Sequence, residues 1–455
     1  MRKTHKSQAS LLEPYLEVEH ARELETISAV LDGLPQLNEL ILEDLGSVSG
    51  ESASEVGCGG MSAEKVLRAA VIKQMNQYSY RELAFHLADS RSYRTFCRIG
   101  VMEKTPSKSA LASNIKALRA ETLEKINAEL VGAAEEANIE KGRKVRVDCT
   151  VVESNIHPPT DSELLYDCVR VLTRLMQRAK ELLGEVVVFS NRTRRARRRR
   201  LAVRNANDKR QRRTAYRDLL QVTEETQRSA ARVQRILNES TALDPGGRVS
   251  AEAISAQIRH FTELTDRVKE QTRRRVMEGQ SVAAEDKIVS IFEEHTDIIR
   301  KDSRETLYGH KICLTGGTSS MILDCVVLEG NPADVTLAET MMDRQIALYE
   351  QPPKQVAFDG AFASKSNLEL IKSKGVEDVA FAKGRGLQVK DMVKSSWLYQ
   401  RLRRFRSGIE GVISFLKRVF GLDRCTWRSF ASFKSYVWSS IIAANLLVMA
   451  RHLMK

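Results

Sequence analysis

The chain has 455 residues, 42% hydrophobic and 29% charged, which excludes a disordered polypeptide and leaves room for several units at roughly 100–200 residues per domain. Lys and Arg outnumber Asp and Glu by 72 to 59, and this net +13 favours a polyanionic partner, with nucleic acid ahead of an anionic membrane. Seven cysteines (Cys58, Cys97, Cys149, Cys168, Cys313, Cys325 and Cys425) make no CxxC pair, which argues against a zinc knuckle or a disulfide framework and for a reducing compartment. No run reaches the ~18 uninterrupted apolar residues of a spanning helix, and the first ten residues carry no apolar signal region. The nearest run, Tyr436–Ala450, is interrupted by Ser439, Ser440 and Asn445 and reads as a buried core helix.

In chain order, residues 1–60 read as a helical segment followed by a Gly/Ser-rich linker from Gly46 to Gly60. Residues 61–140 read as a compact helical DNA-binding domain. Its helices are expected over Val66–Met75, over Ser79–Ala88, and from Ser107 or Ser109 past Ile126, with Tyr78-Ser-Tyr-Arg-Glu-Leu83 resembling the start of a helix-turn-helix. Near residue 145 the apolar period becomes two: Val145, Val147, Cys149 and Val151 share one face of a strand, and Arg146, Asp148 and Thr150 the other. Residues 171–280 read as a basic, mostly helical insertion built on two long antiparallel helices joined near Pro245-Gly-Gly247. This segment holds 26 basic against 13 acidic residues, so the remainder of the chain is neutral. Strands are then expected at Lys287–Phe292, at Leu307–Leu314 and Met321–Leu328 around Thr315-Gly-Gly-Thr318, at Gln355–Asp359 and at Asp378–Ala382, with helices between and after them.

Two acids stand out on these strands. Asp148 lies within a β-branched run, and Asp359 ends a strand before Gly360, which admits a close backbone approach. A third, Glu410, lies on a helix whose apolar stripe is Ile409, Val412, Ile413, Leu416 and Phe420, with Arg403, Arg406 and Lys417 sharing its charged face. Three separated carboxylates suit hard divalent cations, and two such ions can clamp the attacking and leaving oxygens of a phosphoryl displacement.

The runs Arg146-Val-Asp-Cys-Thr-Val-Val-Glu-Ser-Asn-Ile156, Thr160-Asp-Ser-Glu-Leu-Leu165, Leu307-Tyr-Gly-His-Lys-Ile312, Val356-Ala-Phe-Asp-Gly360 and Arg406-Ser-Gly-Ile-Glu410 resemble DDE transposases of bacterial insertion sequences, most closely the ISNCY family. The resemblance implies an α/β fold with an RNase H-like catalytic core over residues 141–170 and 281–455. It also implies Asp148, Asp359 and Glu410 as the catalytic, metal-binding triad, and Mg²⁺ or Mn²⁺, two ions per site. The implied activity is cleavage of the element's terminal inverted repeats and joining of the 3′ ends to target DNA. Related enzymes carry Tyr-x2-Arg-x3-Glu-x6-Lys around the last acid; here Arg406, Glu410 and Lys417 match and the tyrosine position is Arg403. The spacings are long, 211 residues from Asp148 to Asp359 and 51 from Asp359 to Glu410, and the insertion accounts for the first.

Double-stranded DNA is the expected partner, held by Arg403, Arg406 and Lys417 near the acids and by Arg194, Arg195, Arg197, Arg198, Arg199 and Arg200 in the insertion. A homodimer or higher oligomer on DNA, no membrane, and a cytoplasmic, nucleoid-associated location complete the expectation. The competing readings are a non-catalytic DNA-binding regulator derived from a transposase and a nuclease that cuts without joining. Other groups have plainer readings. Glu293-Glu-His-Thr-Asp297 reads as a solvated cluster, His310 as a strand histidine, Asp161 as a helix cap, and Lys383-Gly-Arg-Gly386 as a turn rather than a phosphate cradle. Trp397, Trp427 and Trp438 read as core residues rather than base-stacking platforms.

Overall fold

The computed structural model describes residues 18–48, 60–240, 243–301, 305–383 and 385–455. The greater part of the proposed linker, residues 49–59, lies outside them, as do Cys58 and Gly384 of the 383–386 turn. The chain forms two compact units, one of residues Met1–Asn155 and Gly309–Lys455, the other of Ile156–Tyr308.

The first unit begins with seven helices: α1 (Glu19–Asp32), α2 (Gln36–Val48), α3 (Ala63–Met75), α4 (Tyr80–Asp89), α5 (Arg91–Phe96), α6 (Lys108–Lys116) and α7 (Ala120–Glu136). Local chemistry sets their ends. Ser79 and Glu82 form a reciprocal capping box at α4, and the hydroxyls of Ser62, Ser90 and Ser107 cap α3, α5 and α6. The single helix expected from Ser107 past Ile126 is two helices, because Arg119 adopts an extended backbone and its N–H is taken by the Asp44 carboxylate at 2.8 Å.

β1 (Lys144–Glu153) follows, and then the second unit's helices α8 (Asp161–Leu183), α9 (Thr193–Arg204), α10 (Lys209–Glu239) and α11 (Pro245–Thr272). These four bury one apolar cluster that includes Leu172, Met176, Leu219, Val233, Ile258 and Val268. The expected antiparallel pair is α10 and α11, turned at Asp244 and Pro245 and linked by side chains of Gln227 and Gln234 to the carbonyls of Thr262 and Ser255. α8 and α9 are additional, and α8 starts ten residues before the expected boundary at 171. Lys287–Phe292 forms no strand: the Gln271 amide takes the N–H and C=O of Ile288, so Ile288 and Ile291 bury against the helices instead.

β2 (Asp297–Lys301), β3 (Glu305–Gly316) and β4 (Ile322–Val327) come next, then α12 (Ala338–Tyr349), β5 (Gln355–Phe358), α13 (Lys365–Ser373), β6 (Asp378–Phe381), α14 (Val389–Met392), α15 (Ser396–Phe420) and α16 (Phe430–Leu453). The sheet order is β2-β3-β1-β5-β6, with β4 paired to β3. β3 runs antiparallel to β1 and β4, whereas β1, β5 and β6 are mutually parallel, so the fold is helix-rich α/β around a mixed sheet. Gly309 allows β3 to reach β1: a Cβ there would lie 2.0 Å from the Val152 carbonyl oxygen. Gly317 makes room in the β3–β4 turn for the Glu140 carboxylate, which accepts from the Ser319 N–H at 2.7 Å and hydroxyl at 2.8 Å.

α16 is long and apolar enough to cross a membrane by length and composition, yet it is buried as the central helix of the first unit. Its polar residues are satisfied there. Asn445 donates to Asn127 on α7 and to the Ile322 carbonyl, and accepts from the Ile322 N–H; Ser440 accepts from Gln74 of α3. Helices α1–α7, α16 and the sheet therefore share one hydrophobic core, although residues 1–60 and 61–140 read from sequence as segments distinct from the sheet.

Candidate active site

Asp148 sits mid-way along β1 on the face opposite Val147 and Cys149. The parallel register places Val147 beside Phe358, so Asp148 and Asp359 are the next residues along two adjacent strands, which lie ~4.8 Å apart. Asp359 leaves β5 as the cap of a short 3-10 turn, its carboxylate accepting from the Ala361 N–H at 3.4 Å. Gly360 is also packed closely: a Cβ there would lie 2.9 Å from the Lys383 Cβ in the loop after β6.

α15 brings the third acid. It is capped by Ser395, closed by Gly421 at φ +70°, and packs on β1, β5 and β6 through its apolar stripe. One guanidinium then binds all three carboxylates. Arg406 Nη2 lies 2.8 Å from Asp148 Oδ2 and 2.9 Å from Asp359 Oδ1, and Nη1 lies 2.7 Å from Glu410 Oε1. The acids differ in exposure: the Asp148 side chain is 12% exposed, that of Asp359 35% and that of Glu410 64%. Burial pushes the Asp148 carboxyl up to about 6; Arg406 opposes this, the Asp359 and Glu410 charges add to it, and the Cys149 N–H opposes it.

Arg146, two residues before Asp148 on the same face, was not singled out by sequence. It is 5% exposed, donates to the Phe405 carbonyl at 3.0 Å and lies 4.8 Å from the Phe405 ring centroid. It fills the space left by Gly408, where a Cβ would be 2.2 Å from Arg146 Nη1. This explains the glycine between Arg406 and Glu410. The signal lay in the sequence as a charged residue inside a buried strand face, but the spacing alone does not say which helix covers it.

Lys417 sits two turns beyond Glu410 and donates to the Val151 carbonyl at 2.8 Å, with Asp423 at 3.6 Å. Arg403 is exposed and lies over the Tyr399 ring; Tyr399, one turn before the expected tyrosine position, is buried with its hydroxyl on the Phe381 carbonyl. Asp148, Asp359, Glu410 and Arg406 are thus gathered by β1, β5 and α15, whereas Lys417 lies two turns further along α15 and Arg403 turns outward.

The arginine run lies on α9 in the second unit, where helical geometry divides it. Arg195, Arg199 and Arg200 pair with Glu225, Asp218 and Glu163, on the side of buried Ala196 and Val203. Arg194, Arg197 and Arg198 are exposed, with no ion pair among the described residues. Elsewhere, His295 pairs with Glu293 at 2.9 Å, and His310 is buried against Phe430 and Phe433. Thr160, rather than Asp161, caps α8; Asp161 is the first helical residue, and its carboxylate takes Arg275 and Gln271. Trp427 and Trp438 are buried, but Trp397 is 69% exposed and is not a core residue, because it lies in the first turn of α15 with Arg401 over its ring.

The donor set fits a hard divalent cation: three carboxylates on three elements, with no thiolate or imidazole among them, converge on a single cationic group. Among the described residues no three His, Cys, Asp or Glu are arranged to hold a metal as they stand, since Arg406 lies between the acids. Two family models match the chain, the Transposase DDE domain over residues 271–446 and the Transposase domain (DUF772) over residues 13–117. The first span contains Asp359 and Glu410, and neither contains Asp148. No curated protein and no solved structure matches.

Proposed function

The chain belongs to the DDE transposases of insertion sequences, and from that premise we propose that it cuts the terminal inverted repeats of its own element and joins the freed 3′ ends to target DNA. The observation that supports this reading is the convergence of Asp148, Asp359 and Glu410 on the Arg406 guanidinium, where α15 crosses β1 and β5. The strand order and directions, with antiparallel β4-β3-β1 beside parallel β5 and β6, suit an RNase H-like core in which the first acid lies on the central strand.

Mg²⁺ or Mn²⁺ ions held by Asp148, Asp359 and Glu410 would supply an activated water and charge neutralisation at the scissile phosphate. The protein's own residues prepare that site. Asp148, on a rigid strand and largely buried, fixes the position of the first carboxylate, and Asp359 is locked to it by strand register. Arg406 holds the acids together without DNA; a phosphodiester offers the guanidinium an alternative, bidentate acceptor. Moving to that acceptor clears the space between the acids and places a positive charge on the strand to be cut. Lys417 and, further out, Arg403 extend the phosphate-binding track along α15, and the exposed Arg194, Arg197 and Arg198 add contacts that carry no sequence readout. Two element ends require at least two copies of the chain, acting on DNA in the bacterial cytoplasm.

The test is a joining assay. A labelled duplex spanning the element's end, incubated with supercoiled target DNA and Mg²⁺, should yield labelled target joined through its 3′ end. Nicking at the repeat boundary without joined product would establish the nuclease reading instead, and binding with neither product would establish the regulator.

A further inference from the structure

A second polar recess lies in the first unit, distinct from the three acids. It is a cavity of about 790 Å³ between the α3–α4 turn, the end of α15 and the segment leading into α16. Five basic side chains line it, Lys73, Lys116, Lys417, Arg424 and Arg428, against two acidic ones, Glu82 and Asp423. Glu82 is engaged in the capping box of α4, and Asp423 faces Lys417.

Three of the residues that line the recess carry polar groups with no hydrogen-bond partner among the described residues. Lys73 is 6% exposed, with no hydrogen bond or ion pair among the described residues; its ammonium lies 5.0 Å from the Tyr80 ring centroid and 5.4 Å from that of Trp427. The Trp427 indole N–H and the Tyr80 hydroxyl are buried without a hydrogen-bond partner. A buried ammonium and an orphaned N–H are costly, and the cation–π contacts offset only part of that cost. The unpaired Lys73 ammonium and the surrounding basic side chains define an anion site. A phosphate monoester carries about −1.5 to −2 charges at neutral pH and three strong acceptor oxygens, which matches the net charge of the recess better than a singly charged diester does.

The recess is tied to the catalytic strand. The Glu153 N–H donates to the Asp423 carbonyl at 2.9 Å, and the Cys425 N–H to the Glu153 carbonyl at 2.8 Å. Lys417, on its wall, stands seven residues from Glu410, about 10 Å along the helix axis. That is a span of a few nucleotides on a DNA strand.

We propose that this recess binds the 5′-phosphate end of a DNA strand. The proposal rests on the catalytic reading. Attack of water on the scissile diester forms a new P–O bond and breaks the bond to the 3′ oxygen, which leaves as a hydroxyl. The phosphate stays on the 5′ carbon of the flanking strand. A recess for that end, close to the acids, retains the cut flank instead of releasing it.

The experiment compares binding of the full chain, in EDTA so that no cleavage occurs, to two otherwise identical short duplexes, one bearing a 5′-phosphate and one a 5′-hydroxyl. The phosphorylated end should bind about tenfold more tightly, a preference that millimolar inorganic phosphate abolishes. Lys73→Met should bring the two ends to equal affinity while leaving the 5′-hydroxyl duplex bound as before. Arg428→Ala, at an exposed rim position that the fold does not need, should reduce the preference and repeats the comparison should Lys73→Met misfold. Equal affinity of wild type for both ends would overturn the proposal. A parallel cleavage assay in Mg²⁺ separates the two readings: cleavage without end preference removes the recess alone, and end preference without cleavage removes the catalytic reading and leaves a phosphate site.

Discussion

Asp148 carries a folding cost that the proposed metal-binding role would explain. Its carboxyl titrates at about 6 when folded, against an ordinary value of 3.8, because β1 and α15 take it out of water. Folding therefore favours its protonated form. The associated stability is fully present below the unfolded value near 4 and is lost as the pH rises through 6. Asp148→Asn should consequently stabilise the protein at pH 8 by about 1–3 kcal/mol and by almost nothing at pH 4, read from urea unfolding at the two pH values, while strand cleavage is abolished. Asp148 was legible in sequence because alternation in 145–151 is unambiguous and a carboxylate on such a strand is rare. The role of Arg406 as the group joining all three acids was not, since helical spacing reports neighbours at i+4 and says nothing of the strands a helix lies across.

α15 shows how two glycines in one helix can do different things. Gly411 has nothing within 4 Å of where its Cβ would be, whereas at Gly408 the Cβ would meet Arg146 Nη1 at 2.2 Å. Gly411→Ala should stabilise the protein by about 0.5–1 kcal/mol, seen as a raised urea midpoint, through helix propensity alone. Gly408→Ala should displace Arg146 from the Phe405 carbonyl and tilt Arg406 and Glu410 away from β1, lowering the cleavage rate by about tenfold or more in a single-turnover assay. At the sheet, Gly309→Ala should destabilise the protein by about 1–3 kcal/mol, seen as a lowered urea midpoint, since the clash is with the Val152 backbone and no side chain can yield. Most elements of the sheet were readable from period and turn residues. The strand expected at Lys287–Phe292 was misread because a short apolar run has no period of its own, and there the Gln271 amide satisfies the backbone.

The charge of the whole molecule lies in one segment, and within it α9 separates arginines that hold the fold from arginines that face solvent. Replacing Arg194, Arg197 and Arg198 by Gln should weaken DNA binding and reduce the slope of log K against log salt by about 2–3, leaving thermal stability unchanged. The equivalent change at Arg195, Arg199 and Arg200 should lower the melting temperature, because it strips Asp218 and Glu163 of their ion pairs and leaves Glu225 paired with Arg192 alone. The sequence showed the run but not this division, which depends on the partners that α8 and α10 present. The central claim, that three acids from three elements form one catalytic centre, has a direct test. Mg²⁺-dependent cleavage of a duplex carrying the element's end would be measured for wild type, Asp148→Asn, Asp359→Asn and Glu410→Gln, each shown to be folded and to bind the duplex. Wild type should cleave at the repeat boundary, and every variant should lose at least ~100-fold of that rate. Undiminished cleavage in any one of the folded variants would contradict that claim.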